Sequence, residues 1–511
     1  MINSRVIYSD ISSPIFKEVI NHMKVYYNCD PVFLIGNHKS KKWSKLNYPK
    51  TGFADVFELN FGRFNFNELN QKIPIDKNII DKLASFQSSV MGRFNDSNGF
   101  NFSFKQRLDY YYDLLNYWNT VILKYKPNIY ISYSWPHTNC EYILYLLCKN
   151  VFNIPVLFLD GYPHFENRYT VMDDYTNMSG PFKKEFYKKN LAVNKEVKDY
   201  LSNIRKKKFE EIPDRIKVTY EYKNNFLTKI KNFLVFVKIL ITFNFREKVY
   251  FDRKVNKKEW GDPKSQMNWI DYQIHKIKLY VGSFYLKKLY RKYVSKIDYK
   301  KKYFYFSAPF QPEAASSIPP GVYENLYYTL SFISNLVPDD TYLYYKEHPG
   351  IFSSTEKGIL GRSKEFYSKL SRLKNIIFVD TDIDNFSLID NSIANISISG
   401  TTPWLSLVRL KQTIILGNHW VSGCKGVHTV NSSEEFKEAI NKIKNGHNVN
   451  IQDVDNYAQA IFNSTIPDLK IASGRTRFSF REIYTPDNFD DQNVKKISEA
   501  YKNYYEKNLK F

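Results

Sequence analysis

The chain has 511 residues, with 74 Lys and Arg against 52 Asp and Glu and a formal net charge of +22 at pH 7; its isoelectric point is near 9.4. A hydrophobic fraction of 43% and an aromatic fraction of 17% exclude a disordered or low-complexity chain and suit roughly two to four domains with their own cores. The four cysteines, Cys29, Cys140, Cys148 and Cys424, form no CxxC pair, which argues against a disulfide framework or a cysteine zinc site.

In chain order, the N-terminus carries no apolar run of signal-peptide length, and RVIY at 5–8 reads as a strand. A helix over about 15–25 and a strand at 32–35 follow. Further on come a strand at 129–133, a helix at 140–150 and a strand at 156–159. Strands alternating with helices of this length indicate βαβ units and a parallel sheet.

The middle of the chain changes character. Two Lys/Arg blocks, at 183–208 and 276–302, bracket the apolar stretch FLVFVKILITFNF at 233–245. That stretch is too short to span a bilayer and carries Lys238. It reads either as an interfacial segment on an anionic membrane surface or as a buried helix joining two domains.

The alternation then resumes. A strand at 303–307 leads to a helix in which Val322, Leu326, Leu330, Ile333 and Val337 share one face. Next come a strand at 341–345, a helix at 363–373, a strand at 376–379, a short helix at 386–391 and a strand at 394–398. A helix at 403–410 and a strand at 413–416 complete the series. The fold class is therefore α/β, with two Rossmann-like doubly wound domains and a ligand in the cleft between them. The expected division is an acceptor-side domain at 1–180, a basic helical insertion at 181–300, a nucleotide-binding domain at 301–450, and a helical tail at 451–511 that packs back across both.

Chemistry is expected where strands end. In ISGTTPW at 398–404, Gly400 permits a tight turn, Thr401 or Thr402 can cap the helix that follows, and Pro403 suits its first position. Backbone N–H groups and the hydroxyls of Ser399 and Thr401 would there suit a phosphate. In YKEHPG at 345–350, His348 can donate to a phosphate oxygen or act as an acid, Lys346 adds charge, and Glu347 could orient the imidazole. The loop APFQPE at 308–313, with Gln311 and Glu313, suits contacts to a base, ribose or sugar. In the first half, His137 and Asp160 each follow a strand and are candidates for a general base on the opposite wall.

Three of these segments together, YFSAPFQPEAASS, YLYYKEHPG and ISISGTTPWLSLVRLKQTIILG, resemble the bacterial capsule and surface-polysaccharide glycosyltransferases. That group includes Kdo transferases and relatives of the polysialyltransferases. KPNIYISYSWPHTNCEYILYLLCKNVFNIPVLFLDG is similar to the same family's N-terminal unit, so the resemblance covers about 130–160 and 303–420. It implies a GT-B fold and transfer of a sugar from a nucleotide donor, a CMP-activated acidic sugar such as Kdo or a sialic-acid-like nonulosonate. The acceptor would be a surface glycan or glycolipid, in capsule or lipopolysaccharide. His348 and Pro349 would contact the CMP phosphate, and Ser399, Gly400 and Thr401 the phosphate or cytidine. The polysialyltransferases hold their base in an acidic-acidic-Gly motif, whereas here Leu159-Asp160-Gly161 offers one carboxylate, leaving Glu313 and His137 as alternatives to Asp160.

No metal or other cofactor is expected, because Asp380-Thr-Asp382 has the DxD spacing but lies amid Asp384 and Asn385 in the nucleotide domain. A cytoplasmic enzyme docked on the inner membrane face fits the charge. An alternative is a CDP-polyol phosphotransferase of the teichoic-acid type, against which the intact SGT argues. A nucleic-acid-binding role is not expected, since the lysine blocks lack a helix-turn-helix, zinc-finger or RNA-recognition signature.

Overall fold

Two six-stranded sheets organise the chain. The computed structural model describes residues 4–60, 62, 64, 66–69, 72–97, 103–136, 138–161, 168–174, 182, 185, 191–207, 269–353, 358–446, 448–466, 469 and 491–508. His137, the stretch at 233–245 and residues 183, 184, 186–190 and 208 of the first basic block lie outside the described residues.

The first sheet is built from β1 (Ser4–Ser9), β2 (Cys29–Gly36), β3 (Gly52–Asp55), β4 (Ile129–Ser132), β5 (Val156–Gly161) and β6 (Tyr169–Met172). The helices between them are α1 (Pro14–Tyr27), α2 (His38–Asn47), α3 (Val56–Asn60), α4 (Lys77–Leu83), α5 (Gln87–Ser97), α6 (Phe104–Tyr125) and α7 (Asn139–Asn150). Then come α8 (Lys195–Lys206) and α9 (Trp269–Tyr293). α1 shows why the local sequence folds this way. Pro14 takes a first-turn position, Ile15, Phe16, Val19, Ile20 and Met23 bury one face, and Asn28 closes the helix in the left-handed region. α6 opens on a capping box between Ser103 and Gln106.

The second sheet takes β7 (Tyr303–Ser307), β8 (Tyr342–Lys346), β9 (Ile376–Val379), β10 (Asn395–Ser397), β11 (Thr413–Leu416) and β12 (Val427–Val430). Its helices are α10 (Ala314–Ser317), α11 (Leu326–Leu336), α12 (Lys364–Leu370), α13 (Asn385–Asn391), α14 (Thr402–Val408) and α15 (Ser433–Lys444). α16 (Ile451–Ser464) and α17 (Asp491–Asn508) follow. The helix expected across 322–337 is broken at Asn325, whose side chain accepts from the Tyr328 N–H and starts α11 afresh after a 3-10 turn at Gly321–Glu324.

The strand orders are β3-β2-β1-β4-β5-β6 and β12-β11-β10-β7-β8-β9. Numbered from its own first strand, each sheet runs 3-2-1-4-5-6, the doubly wound dinucleotide-binding order, with β6 antiparallel to β5 and every other pair parallel. Two Rossmann-like α/β domains in one chain make a GT-B-type architecture. In each, the winding reverses between the first and fourth strands, at β1/β4 and at β7/β10. A ligand belongs outside the carboxyl ends of the strands at such a reversal.

The domains are joined in several places. α10 and the 3-10 turn behind it pack on α5, where a side chain on Gly92 would meet the Glu324 carboxylate at 2.5 Å. One apolar cluster runs from Trp118 and Leu147 to Ala314, Trp404 and Tyr457. After the second sheet the chain returns to the first domain: Thr170 Oγ1 donates to the Ser464 carbonyl, and Tyr501 OH to the Ser132 carbonyl at 2.6 Å. Among the described residues no helix is long and apolar enough to cross a membrane.

Candidate functional site

The second sheet gathers three sequence-predicted segments at its carboxyl edge. β7 runs into the 308–313 loop, β8 into Glu347-His348-Pro349, and β10 into Ser399-Gly400-Thr401. The loops after β7 and β10 meet at the reversal, where Thr402 Oγ1 donates to Ser307 Oγ at 3.2 Å.

His348 keeps a partly exposed ring. Its Nδ1 accepts from the Gly350 N–H at 3.1 Å, which places the ring proton on Nε2 in the neutral form, and the Phe310 ring meets it edge-on at 5.6 Å. The residue stands just past β8 at the carboxyl edge of the sheet, where a ligand contact is expected. Pro349 starts the short 3-10 turn that carries Gly350.

Glu347 and Lys346 do other work than the sequence suggested. Glu347 Oε1 accepts the backbone N–H of His348 at 2.9 Å, so it holds that residue's main chain, while Gly350 and Phe310 orient the imidazole. The Glu347 carboxylate is 1% exposed and forms a two-pronged ion pair with Arg362, at 2.8 Å to Nε and 3.2 Å to Nη2. Tyr345 OH and Tyr367 OH donate to its Oε2 at 2.6 and 2.9 Å. Lys346 is buried, its amine donating to Asn385 Oδ1 at 2.6 Å and to the Ile383 carbonyl. A buried ammonium needs such acceptors, and these tie β8 to the loop after β9.

Gln311 is likewise scaffold. Its amide donates to the Glu324 carbonyl and accepts from Arg362 Nη1 at 2.9 Å. Arg362 also donates to the Pro309 carbonyl, so one buried guanidinium fastens the 308–313 loop to the His348 loop. Glu313 is partly exposed at the start of α10, where its carbonyl accepts from Ser316 Oγ.

The Ser399-Gly400-Thr401 turn is held from below and open above. Ser397 Oγ donates to the Ser399 carbonyl at 2.7 Å. Gly400 adopts φ 90, and a Cβ there would meet nothing within 4 Å, so the backbone is approachable by a ligand. Thr401 precedes α14 in helical conformation without capping it by its side chain, and Thr402, spent on Ser307, does not cap either. α14 has seven residues, so the stronger part of this turn is its exposed main chain rather than a long helix dipole.

A group the sequence reading missed fixes this turn. His419, in the loop after β11, is 5% exposed; its Nδ1 accepts from the Val421 N–H, leaving Nε2–H to donate to the Gly400 carbonyl at 2.8 Å. Burial pushes its pKa down to about 4, against a smaller upward pull from the Gly400 bond, and keeps the ring neutral. The rule that singled out His348, a polar residue just past a strand end, would have found His419. Arg362 had no such signal, because its partner lies 15 residues away across a loop.

On the first sheet, Asp160 stands near the end of β5, opposite Thr170 in the antiparallel β5–β6 ladder, and is partly exposed. Two carboxylates that the sequence reading passed over lie closer to the reversal. Asp10 directly follows β1, and Glu141 opens α7. Among the described residues no cluster of three or more His, Cys, Asp or Glu is placed to hold a metal ion.

No protein-family model matches the chain, and neither does any curated protein. Distant likenesses exist among solved structures. A UDP-GlcNAc 2-epimerase from Methanocaldococcus jannaschii is 12% identical with a TM-score of 0.24, covering 90% of this chain and 99% of that one. A β-Kdo 2,4-transferase from Thermosulfurimonas dismutans is 10% identical with a TM-score of 0.26, covering 65% and 79%. A glycosyltransferase from Rickettsia africae is 15% identical with a TM-score of 0.24, covering 99% and 100%. At these values the likenesses fix neither substrate nor reaction, and the assignment of the GT-B-type fold rests on the two strand orders.

Proposed function

We propose that the protein is a glycosyltransferase that moves a CMP-activated acidic sugar, Kdo or a sialic-acid-like nonulosonate, onto a bacterial surface glycan or glycolipid. The observation that carries this reading is the carboxyl edge of the second sheet. There His348, its ring held by the Gly350 N–H, and the open Gly400 main chain sit beside and at the β7/β10 reversal, the position for a nucleotide in a doubly wound sheet.

In this reading the leaving CMP phosphate takes hydrogen bonds from His348 and from the main chain of the Ser399-Gly400-Thr401 turn. Donors held in place before the reaction stabilise charge as it develops on the leaving oxygen. Glu347, Arg362, Gln311 and His419 position those donors and do not touch substrate. Lys346, spent on Asn385 and Ile383, leaves this work to neutral donors. No metal enters the scheme. The acceptor hydroxyl approaches from the first domain, where a carboxylate removes its proton; Asp160 is the candidate the family resemblance supplies.

A basic helix face supports docking of the enzyme on an anionic membrane surface. On α9, Val281, Phe284 and Tyr285 are 51%, 74% and 50% exposed, and Lys288 and Lys292 continue the same stripe. Exposed aromatics beside lysines suit an anionic headgroup layer. Sedimentation with phosphatidylglycerol vesicles, compared with phosphatidylcholine vesicles, tests the docking. The catalytic reading is tested by incubating the protein with a panel of CMP-sugars and surface-glycan acceptors: a product heavier by one acidic sugar supports it, and turnover of CDP-polyols instead replaces it with a phosphotransferase.

A further inference from the structure

The reversal of the first sheet carries an arrangement of its own. β1 ends at Ser9, and the chain turns at Asp10 with φ 60, a left-handed conformation that an aspartate adopts at some cost. Ser134 Oγ, in the loop after β4, donates to Asp10 Oδ2 at 2.8 Å. β4 is the strand beside β1 at the reversal, with Ser9 opposite Ser132. Behind Asp10, Ser9 Oγ donates to Ser132 Oγ at 2.8 Å and lies 2.8 Å from Tyr130 OH. Glu141, 5% exposed in the first turn of α7, accepts from Thr138 Oγ1 at 2.7 Å.

Three features separate Asp10 from a turn residue. Among the described residues its side chain makes one hydrogen bond, through Oδ2 to Ser134, and Oδ1 has no partner among them, while the residue keeps some exposure at the sheet edge. Neither Asp10 nor Glu141 forms an ion pair with any described Lys or Arg, although the chain carries an excess of 22 positive charges. Among the described residues the titratable groups facing Asp10 are Glu141 from α7, Tyr133 just past β4 and Tyr501 from α17, none of them cationic. With no described cation facing them, burial favours the protonated form of each carboxyl. Burial, and then the Glu141 charge, push Asp10 up to about 7 against the Ser134 bond, and burial raises Glu141 too. A carboxylate that changes state near neutrality is suited to proton transfer.

We propose that Asp10 is the catalytic base of the transfer, with Glu141 a positioning residue. This rests on the glycosyltransferase reading above. In a direct displacement the acceptor oxygen forms the bond to the anomeric carbon while the bond from that carbon to the phosphate oxygen breaks. The phosphate leaves with the bonding pair, the hydroxyl proton passes to Asp10 Oδ1, and water removes it after product release. Asp160 lies two strands away, about 10 Å at the usual strand spacing, on a ladder position rather than at the reversal.

The test combines kinetics with a measurement that does not depend on turnover. Transfer by the wild type should follow a pH profile whose acidic limb falls near 7. Asp10→Asn should lose about 100-fold or more in kcat with an unchanged dissociation constant for CMP. Glu141→Gln should move the acidic limb to lower pH. Independently, carbon-13 carboxyl NMR of the full-length protein should show an aspartate titrating near 7 that disappears in Asp10→Asn. Transfer by Asp10→Asn within threefold of wild type, or an acidic limb that Glu141→Gln leaves in place, overturns the proposal. If the wild type binds no nucleotide and transfers nothing, the functional reading falls and the catalytic role with it, even where the NMR titration near 7 is seen; loss confined to Asp10→Asn isolates this residue.

Discussion

Breaking the Glu347–Arg362 pair is the most quantitative perturbation the structure offers. Both side chains are 0% exposed, and the carboxylate takes five hydrogen bonds: two from Arg362 and one each from Tyr345, Tyr367 and the His348 main chain. Arg362→Met leaves this carboxylate with two phenols and one amide but no cation, which should cost about 3–5 kcal/mol. Glu347→Gln strands the guanidinium instead and should cost a similar amount. The double variant removes both charges, so the two losses should not add, and the coupling in the cycle should reach about 2 kcal/mol or more. Urea denaturation followed by tryptophan fluorescence, with Trp404 and Trp420 in contact in the second domain, reads these values. Because Arg362 also holds the Pro309 carbonyl and Gln311, Arg362→Met should weaken CMP binding at temperatures where the protein is still folded. Single variants that each lose under about 1 kcal/mol, or a cycle that is simply additive, would refute the view that this network is the spine of the donor site.

Other consequences can be read from the same geometry. Gly400→Ala places a Cβ in open space at φ 90; stability should fall by only about 1–2 kcal/mol, whereas CMP affinity, measured by calorimetry, should fall at least about tenfold if the donor lies against that main chain. His419 has a folded-state pKa depressed from 6.5 to about 4, so its contribution to stability is fully present above about 6.5 and lost as pH falls through 4. That contribution is about 3 kcal/mol, and His419→Gln should flatten the fall in melting temperature over that range. Glu324, raised to about 7 chiefly by burial against the first domain, has the opposite sign. Its contribution is full below about 4.5 and is lost as pH rises through 7, so Glu324→Gln should remove part of a stability decline across that window. Asp160→Asn separates the two candidate bases: it should retain transfer if Asp10 takes the proton and abolish it if Asp160 does.

The alternation of strands and helices was legible because, β6 aside, both sheets are assembled from parallel strands buried on both faces, which leave short apolar runs between amphipathic helices. β9 and β11 fall where the runs predict. β3 and β12 escaped because both are four-residue strands at a sheet edge, and β12 carries a polar His428 and Thr429. The loops bearing His348 and Gly400 were legible for a related reason, since in a doubly wound fold any polar residue just past a strand end is near a binding edge. What local pattern did not decide is which way a side chain turns there. Lys346 and Glu347 flank the same strand end as His348, yet their directions are set by Asn385, 39 residues on, and by Arg362. Asp10 was overlooked although it obeys the same rule; its role depends on Ser134 and Glu141, brought to it only when β4 pairs with β1.

The central claim is that the edge of the second sheet holds a cytidine nucleotide through His348. Thermal-shift titration of the wild type and His348→Ala with CMP, UDP and GDP measures it directly, since a ligand bound only by the folded state raises the midpoint with concentration. The account predicts a rise with CMP that exceeds those with UDP and GDP and is lost in a folded His348→Ala. No shift with any of the three nucleotides, or a CMP shift that survives in His348→Ala, would contradict it.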